Sequence, residues 1–188
     1  MEEYIERCWI IYTKGSNMKV VISGSFRKHL QGILKLKTEL EKRGIEVIKP
    51  NKIKTINNIE DPNFVRFEGE ENIHPYILEM EYFDAIGECD AHIIYNKDSY
   101  MGDSALYEFG ASMAKGENTK VYFIERPNPN KMIEQKGDID EAEKQDIREF
   151  CKLLEDMERH RVLGIGLDQL YKDFNIKKQS IDRDEEER

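Results

Sequence analysis

Four short apolar runs, each separated from the next by a stretch of helical period, constrain this chain more than any other feature. Lys19-Val20-Val21-Ile22-Ser23 is apolar and β-branched and ends at Gly24, the pattern of a buried strand. From Arg27 to Arg43, apolar residues fall at Leu30, Ile33, Leu34 and Leu40, which predicts a helix that Gly44 stops. Ile45-Glu46-Val47-Ile48 reads as a second strand, ended by Pro50. From Asn51 to Asn72 periodicity fails, with a hairpin expected only at Phe64 to Phe67. An excursion of this length inside a compact domain is commonly a lid or a substrate edge. Tyr76, Ile77, Met80, Phe83 and Ile86 then form a helical stripe. A strand follows at Ala91 to Tyr95, a helix at Ser104 to Lys115 and a strand at Lys120 to Ile124. Ile147, Phe150, Leu153, Leu154 and Met157 share one face of a longer helix, Asp140 to Arg159, and Leu167 to Phe174 reads as a last short helix.

Alternation of this kind predicts an α/β fold, a small doubly wound parallel sheet of four or five strands with helices on both faces. At 188 residues there is room for one such domain. It is expected at 18–137, preceded by an N-terminal extension or extra edge strand at 1–17. A C-terminal helical extension with a charged tail is expected at 138–188. Sheets of this type bind ligands at the carboxyl ends of their strands, so the segments just after each strand carry the functional expectation.

Charge narrows the ligand class. The 38 acidic residues outnumber the 29 basic ones, a formal net charge of -9 that argues against a duplex nucleic-acid polymer or an anionic membrane as partner. The excess is uneven: from Asp138 onward 16 acidic residues face 10 basic ones, so the remainder of the chain is close to balanced. A small phosphate bound by local donors stays compatible with that balance. No apolar run approaches a bilayer span, and the first residues lack the pattern of a signal peptide. Cys8, Cys89 and Cys151 are odd in number and widely spaced. They predict neither a disulfide framework nor a zinc site, and a reducing, cytoplasmic setting is expected.

After the first strand comes Ser23-Gly24-Ser25-Phe26-Arg27-Lys28-His29. Small residues allow close backbone approach, and the N–H groups at the start of the next helix favour an anion, with Arg27 and Lys28 adding charge. The alternative is a tight strand-to-helix turn with solvated basic residues. The loop has neither Walker nor dinucleotide-fingerprint spacing. After the third strand, Asn96 is placed for a ligand contact, and Gly102, Asp103 and Ser104 lead into a helix carrying Glu108 among Leu106, Tyr107 and Phe109. A carboxylate in so apolar a setting is expected to be partly buried. Covalent attack on a sugar carbon would justify its cost, and a helix-dipole role is the alternative. His92, between apolar neighbours in a strand, reads as a packed core histidine. No metal cluster, hydrolase triad or cofactor motif is present in the sequence, so neither metal nor cofactor is expected.

Three segments together resemble a family. Val20 to Arg27 (VVISGSFR), Phe83 to Asn96 (FDAIGECDAHIIYN) and Gly102 to Gly116 (GDSALYEFGASMAKG), with the strand VYFI after them, look like the nucleoside 2-deoxyribosyltransferase superfamily. That group includes the 2'-deoxynucleoside 5'-monophosphate N-glycosidases. The resemblance covers about Lys19 to Glu125, and its strongest part is EFGASMAKG before a strand. It implies that Glu108 attacks the anomeric carbon, that a base leaves with proton donation, and that a second base or water takes the sugar. It implies that the first loop, through Ser25 and Arg27, cups the sugar and holds a 5'-phosphate. It also implies a homodimer or higher homo-oligomer. The family's second carboxylate, eight residues before Asp90, falls on Tyr82, which leaves Glu81 or Asp84 as the candidate acid. Gly102 stands where transferases have aspartate and glycosidases serine, with Asp103 beside it.

The expected function is therefore cleavage of the N-glycosidic bond of a nucleoside or its 5'-monophosphate, with transfer or hydrolysis open. Glu108, Glu81 and Asp84 are the expected catalytic residues. Ser23, Gly24, Ser25, Phe26, Arg27, Asn96, Gly102, Asp103 and Ser104 are expected to bind substrate. The alternative is a nucleotide or nucleotide-sugar sensor of the same fold without chemistry.

Overall fold

A computed structural model describes residues 18–56, 65–116 and 119–176. The expectations for residues 1–17, for Cys8, for Phe64 and for the charged tail lie outside these. The described chain forms β1 (Lys19–Gly24), α1 (Phe26–Lys42), β2 (Glu46–Lys49), β3 (Thr55–Ile56), β4 (Arg66–Phe67), α2 (Pro75–Glu88) and β5 (Ala91–Tyr95). It continues with α3 (Asp103–Ala114), β6 (Lys120–Phe123), α4 (Pro129–Lys136), α5 (Glu141–Arg159), β7 (Leu163–Ile165) and α6 (Leu167–Asp173). Five strands form one parallel sheet in the order β2-β1-β5-β6-β7. The sequence runs outward from β1 to β2, returns to β5 on the other side of β1, and then continues away. The fold is thus a doubly wound α/β sheet whose order reverses between β1 and β5, the place where such sheets open a ligand crevice.

Strand alternation divides the core. Val20 and Ile22 of β1 and Ile93 of β5 face α1 and α6, where Ile33, Leu36, Leu40 and Leu170 are buried. Ile94, Val121 and Phe123 face Phe109 of α3 and Leu154 of α5. Val21 packs with Ile86 and Cys89 at α2. Ser23 and His92 are buried on the same side as Val21 and Ile94, toward α2 and α3.

Two connections differ from the sequence expectation. The hairpin exists, but its strands are Thr55–Ile56 and Arg66–Phe67, two residues each and antiparallel. The segment after Asp138 does more than append a helix. A capping box of Asp140 and Glu143 starts α5, and the chain then adds β7 alongside β6 and packs Leu170 and Tyr171 of α6 into the core of β1. Asp173 fixes this return, accepting from Lys120 Nζ at 2.6 Å and from Tyr122 Oη at 2.8 Å.

Candidate functional site

A cavity of about 420 Å³ opens at the carboxyl ends of β1 and β2. That size lies within the ~300–1,000 Å³ of small-molecule sites. Gly24, Ser25, Phe26 and Arg27 form one wall, and Gly102, Asp103, Ser104, Ala105 and Glu108 another. The sequence order β1–loop–α1 and β5–loop–α3 therefore brings two helix N-termini to one crevice. Ser25 caps α1, its hydroxyl accepting from the Lys28 N–H at 3.3 Å. Gly102 caps α3 with no side-chain hydrogen bond. Gly24 is needed for close approach: a Cβ there would lie 2.9 Å from the Tyr95 carbonyl oxygen.

The remaining walls come from residues that the sequence reading did not assign to substrate. Lys49, Pro50 and Asn51 follow β2, and Val65, Phe67 and Glu70 come from the irregular excursion. Arg66 anchors that excursion, donating through Nη1 to the carbonyl of Glu70 at 2.7 Å, while Glu70 Oε2 accepts from the Phe67 N–H at 2.9 Å. Leu78, Glu79 and Tyr82 project from α2 at helical spacing. Phe26 meets Phe67 edge-on at 5.6 Å and Tyr82 at 6.3 Å between ring centroids, giving the cavity an aromatic corner.

Glu108 is the reactive-looking group. Its residue is only 6% exposed although it lines the cavity. Burial pushes its carboxyl from 4.5 up to about 8, a hydrogen bond with Ser23 draws it back in part, and Glu79 adds to the rise. Glu79 is half-buried, and burial raises its carboxyl as well. The Tyr82 phenol is buried, has no hydrogen-bond partner and is held well above the usual range by burial and by Glu108, Glu70 and Glu79. Tyr82 thus keeps its proton through the pH range in which Glu108 titrates.

Of the expected substrate residues, Gly24, Ser25, Phe26, Arg27, Gly102, Asp103 and Ser104 line the cavity with Glu108. Ser23 lies just beneath, fully buried and bonded to Glu108. Asn96 is placed differently: its amide is spent on the Glu125 backbone, donating to the carbonyl at 2.7 Å and accepting from the N–H at 3.0 Å. That exchange clamps the ends of β5 and β6 and leaves Asn96 off the cavity wall. Glu81 also faces elsewhere and pairs with Lys49 at 2.6 Å, so it touches the site only through that lysine. Asp84 is exposed and does not line the cavity. The carboxylate that α2 does bring to the cavity is Glu79, one turn from Tyr82. The signal for it was the helical spacing of Leu78, Glu79 and Tyr82, usable only once the orientation of α2 was known.

Among the described residues no group of His, Cys, Asp and Glu is arranged to hold a metal, and no helix is long and apolar enough to cross a membrane. The sheet order and the crevice at its reversal define the class as a Rossmann- or flavodoxin-like α/β protein. A scan against protein-family models finds no match for the chain, and a search of curated proteins finds none either.

Proposed function

We propose that the protein cleaves the N-glycosidic bond of a nucleoside or nucleoside 5'-monophosphate, in the manner of the nucleoside 2-deoxyribosyltransferase superfamily that its sequence resembles. The observation that carries the reading is Glu108. It is a buried carboxylate on the wall of a small-molecule cavity, beside two helix N-termini and an aromatic corner. A group so desolvated costs stability, and nucleophilic attack repays that cost.

In this account a Glu108 oxygen forms a bond to C1' as the C1'–N bond breaks, its electron pair passing to the base. The base takes a proton from the Tyr82 hydroxyl on the wall formed by α2, where the Glu79 carboxyl, raised by burial, stands beside it. Water or a second base then attacks C1', the bond to Glu108 breaks, and the carboxylate is restored. A water or base that loses a proton in this step returns it to the same wall. Arg27 and the N–H groups opening α1 and α3 suit a 5'-phosphate. The aromatic corner suits the planar face of a base. A homo-oligomer belongs to the same proposal and draws support from exposed Tyr76, Ile77 and Met80 on α2.

Chromatography of deoxynucleosides, ribonucleosides and their monophosphates, with and without an acceptor base, tests the reading. Free or exchanged base is expected from the native chain and none from Glu108→Ala. Base release undiminished in Glu108→Ala refutes it. A second reading, a nucleotide sensor without chemistry, is favoured by Tyr82 standing where the family has aspartate. Thermal stabilisation by a nucleotide with no product would support it.

A further inference from the structure

Beneath Glu108 lies a row of buried polar groups that the proposed chemistry does not use. Ser23 Oγ is 2.5 Å from His92 Nε2, and His92 Nδ1 is 2.5 Å from Ser112 Oγ. Ser112 Oγ lies 3.2 Å from the backbone carbonyl oxygen of Glu108. Ser23, His92 and Ser112 are all fully buried. At the upper end Ser23 bonds the Glu108 carboxyl. The row crosses from β1 through β5 to α3, on the one face of the sheet that Glu108 occupies.

Where Glu108 meets Ser23 through the oxygen that carries its proton, hydrogen counting gives each state of Glu108 one arrangement in which every member of the row is paired. Each serine carries one hydroxyl hydrogen, and a neutral imidazole carries one N–H. If Glu108 is protonated, it donates to Ser23, Ser23 donates to His92 Nε2, His92 Nδ1–H donates to Ser112, and Ser112 donates to the Glu108 carbonyl. If Glu108 is ionised, Ser23 must turn its hydrogen to the carboxylate. His92 then donates to Ser23 from Nε2, and Ser112 donates to Nδ1. The Glu108 carbonyl keeps its helical N–H partner in both cases. The two arrangements differ by the single proton that leaves Glu108 for solvent and by which ring nitrogen carries hydrogen.

We propose that His92 is a positioning residue for Glu108, acting through Ser23: its Nε2–H tautomer turns the Ser23 hydroxyl onto the ionised carboxylate, and its Nδ1–H tautomer accompanies the protonated one. Loss of the Glu108 proton therefore selects an imidazole that supplies a donor toward the nucleophile from inside the core. For its catalytic consequence this inference rests on the proposed role of Glu108, whereas the coupling itself does not.

The groups facing Glu108 are Tyr82 and Glu79 from α2, with Glu70 acting on Tyr82. Arg27, Lys49 and Asp103 stand on the cavity wall. His92 is moved by burial, which lowers it to about 3, so it stays neutral while Glu108 titrates. A change at His92 near pH 8 thus reports a tautomer exchange and not an ionisation.

Long-range proton–nitrogen NMR of the histidine rings in the full chain tests this, since it distinguishes Nδ1–H, Nε2–H and doubly protonated rings. His92 should pass from Nδ1–H to Nε2–H with a midpoint near the value of about 8 given for Glu108. In Glu108→Gln, which keeps the side-chain volume, and in Ser23→Ala, which cuts the row, its tautomer should not change with pH. A single tautomer in the native chain across that range would overturn the proposal, as would an exchange that persists in both variants. The readout needs no turnover, so a protein that never cleaves a nucleoside could still satisfy it. Conversely, an active enzyme with a pH-independent His92 would refute this inference and leave the function intact.

Discussion

Replacing Glu108 by glutamine should make the protein more stable at alkaline pH, by an amount that disappears in acid. The carboxyl sits at about 8 in the fold against 4.5 for an ordinary glutamate. Between those values the folded chain holds a proton that the unfolded chain has released. Stability therefore falls as pH rises through this window: the group imposes no penalty below the lower value and its full penalty above the upper one. At about 1.4 kcal/mol per pH unit the gap corresponds to a ceiling of about 5 kcal/mol. Water entering the open cavity lowers the realised figure, and roughly 2–5 kcal/mol is the working range. For a domain of this size that is a melting-temperature difference of roughly 4–20 °C. Paired thermal melts from about pH 5 to about pH 9 check it, because every other titrating group contributes nearly equally to both proteins. The native chain should lose ground to Glu108→Gln steadily with rising pH. Parallel melting curves over the whole range would refute the claim that this carboxyl is strongly desolvated.

Four further outcomes follow from the same geometry. The free-enzyme kcat/KM should rise about tenfold per pH unit in acid and level off near the value of about 8 given for Glu108, as its carboxylate forms; a limb at the ordinary glutamate position would count against Glu108. Tyr82→Phe removes a buried hydroxyl with no partner, so urea unfolding should show unchanged or slightly raised stability, by ~1 kcal/mol, while base release falls about tenfold or more if the phenol serves the departing base. Gly24→Ala would press a methyl against the Tyr95 carbonyl and should cost about 1–3 kcal/mol in the same assay. Asp173→Ala should cost about 1–3 kcal/mol, since it strips partners from Lys120, Tyr122 and Gln169 at once, and a loss below ~0.5 kcal/mol would contradict its assigned role.

Four of the five sheet strands, β1, β2, β5 and β6, were legible because each is a β-branched run flanked by turn residues, and their alternation with helices left a parallel sheet as the natural packing. β7 was hidden. Leu163-Gly164-Ile165 is short and has glycine at its centre, the residue that local propensity counts against a strand. The structure gives the reason: a Cβ at 164 would fall 2.5 Å from the Tyr122 ring, so only glycine lets the strand pass. Glu108 was legible as an acid out of place among apolar neighbours, and its burial follows from α3 packing Phe109 into the sheet. Glu79 was not, because the rotation of α2 about its axis depends on tertiary contacts that periodicity does not encode. Asn96 misled for a related reason: a polar residue at a strand end can serve a ligand or clamp the next strand, and here Glu125 takes both of its hydrogen-bonding ends.

Trapping the proposed covalent state tests the assignment of Glu108 as nucleophile most directly. The native protein would be mixed with a deoxynucleoside or its 5'-monophosphate, quenched in acid within a turnover, digested and weighed by mass spectrometry. The account predicts one deoxyribosyl unit, with its phosphate if the substrate carried one, on the peptide holding Glu108, and none in Glu108→Gln. Base release without an adduct on that peptide, or an adduct on a different residue, would contradict it.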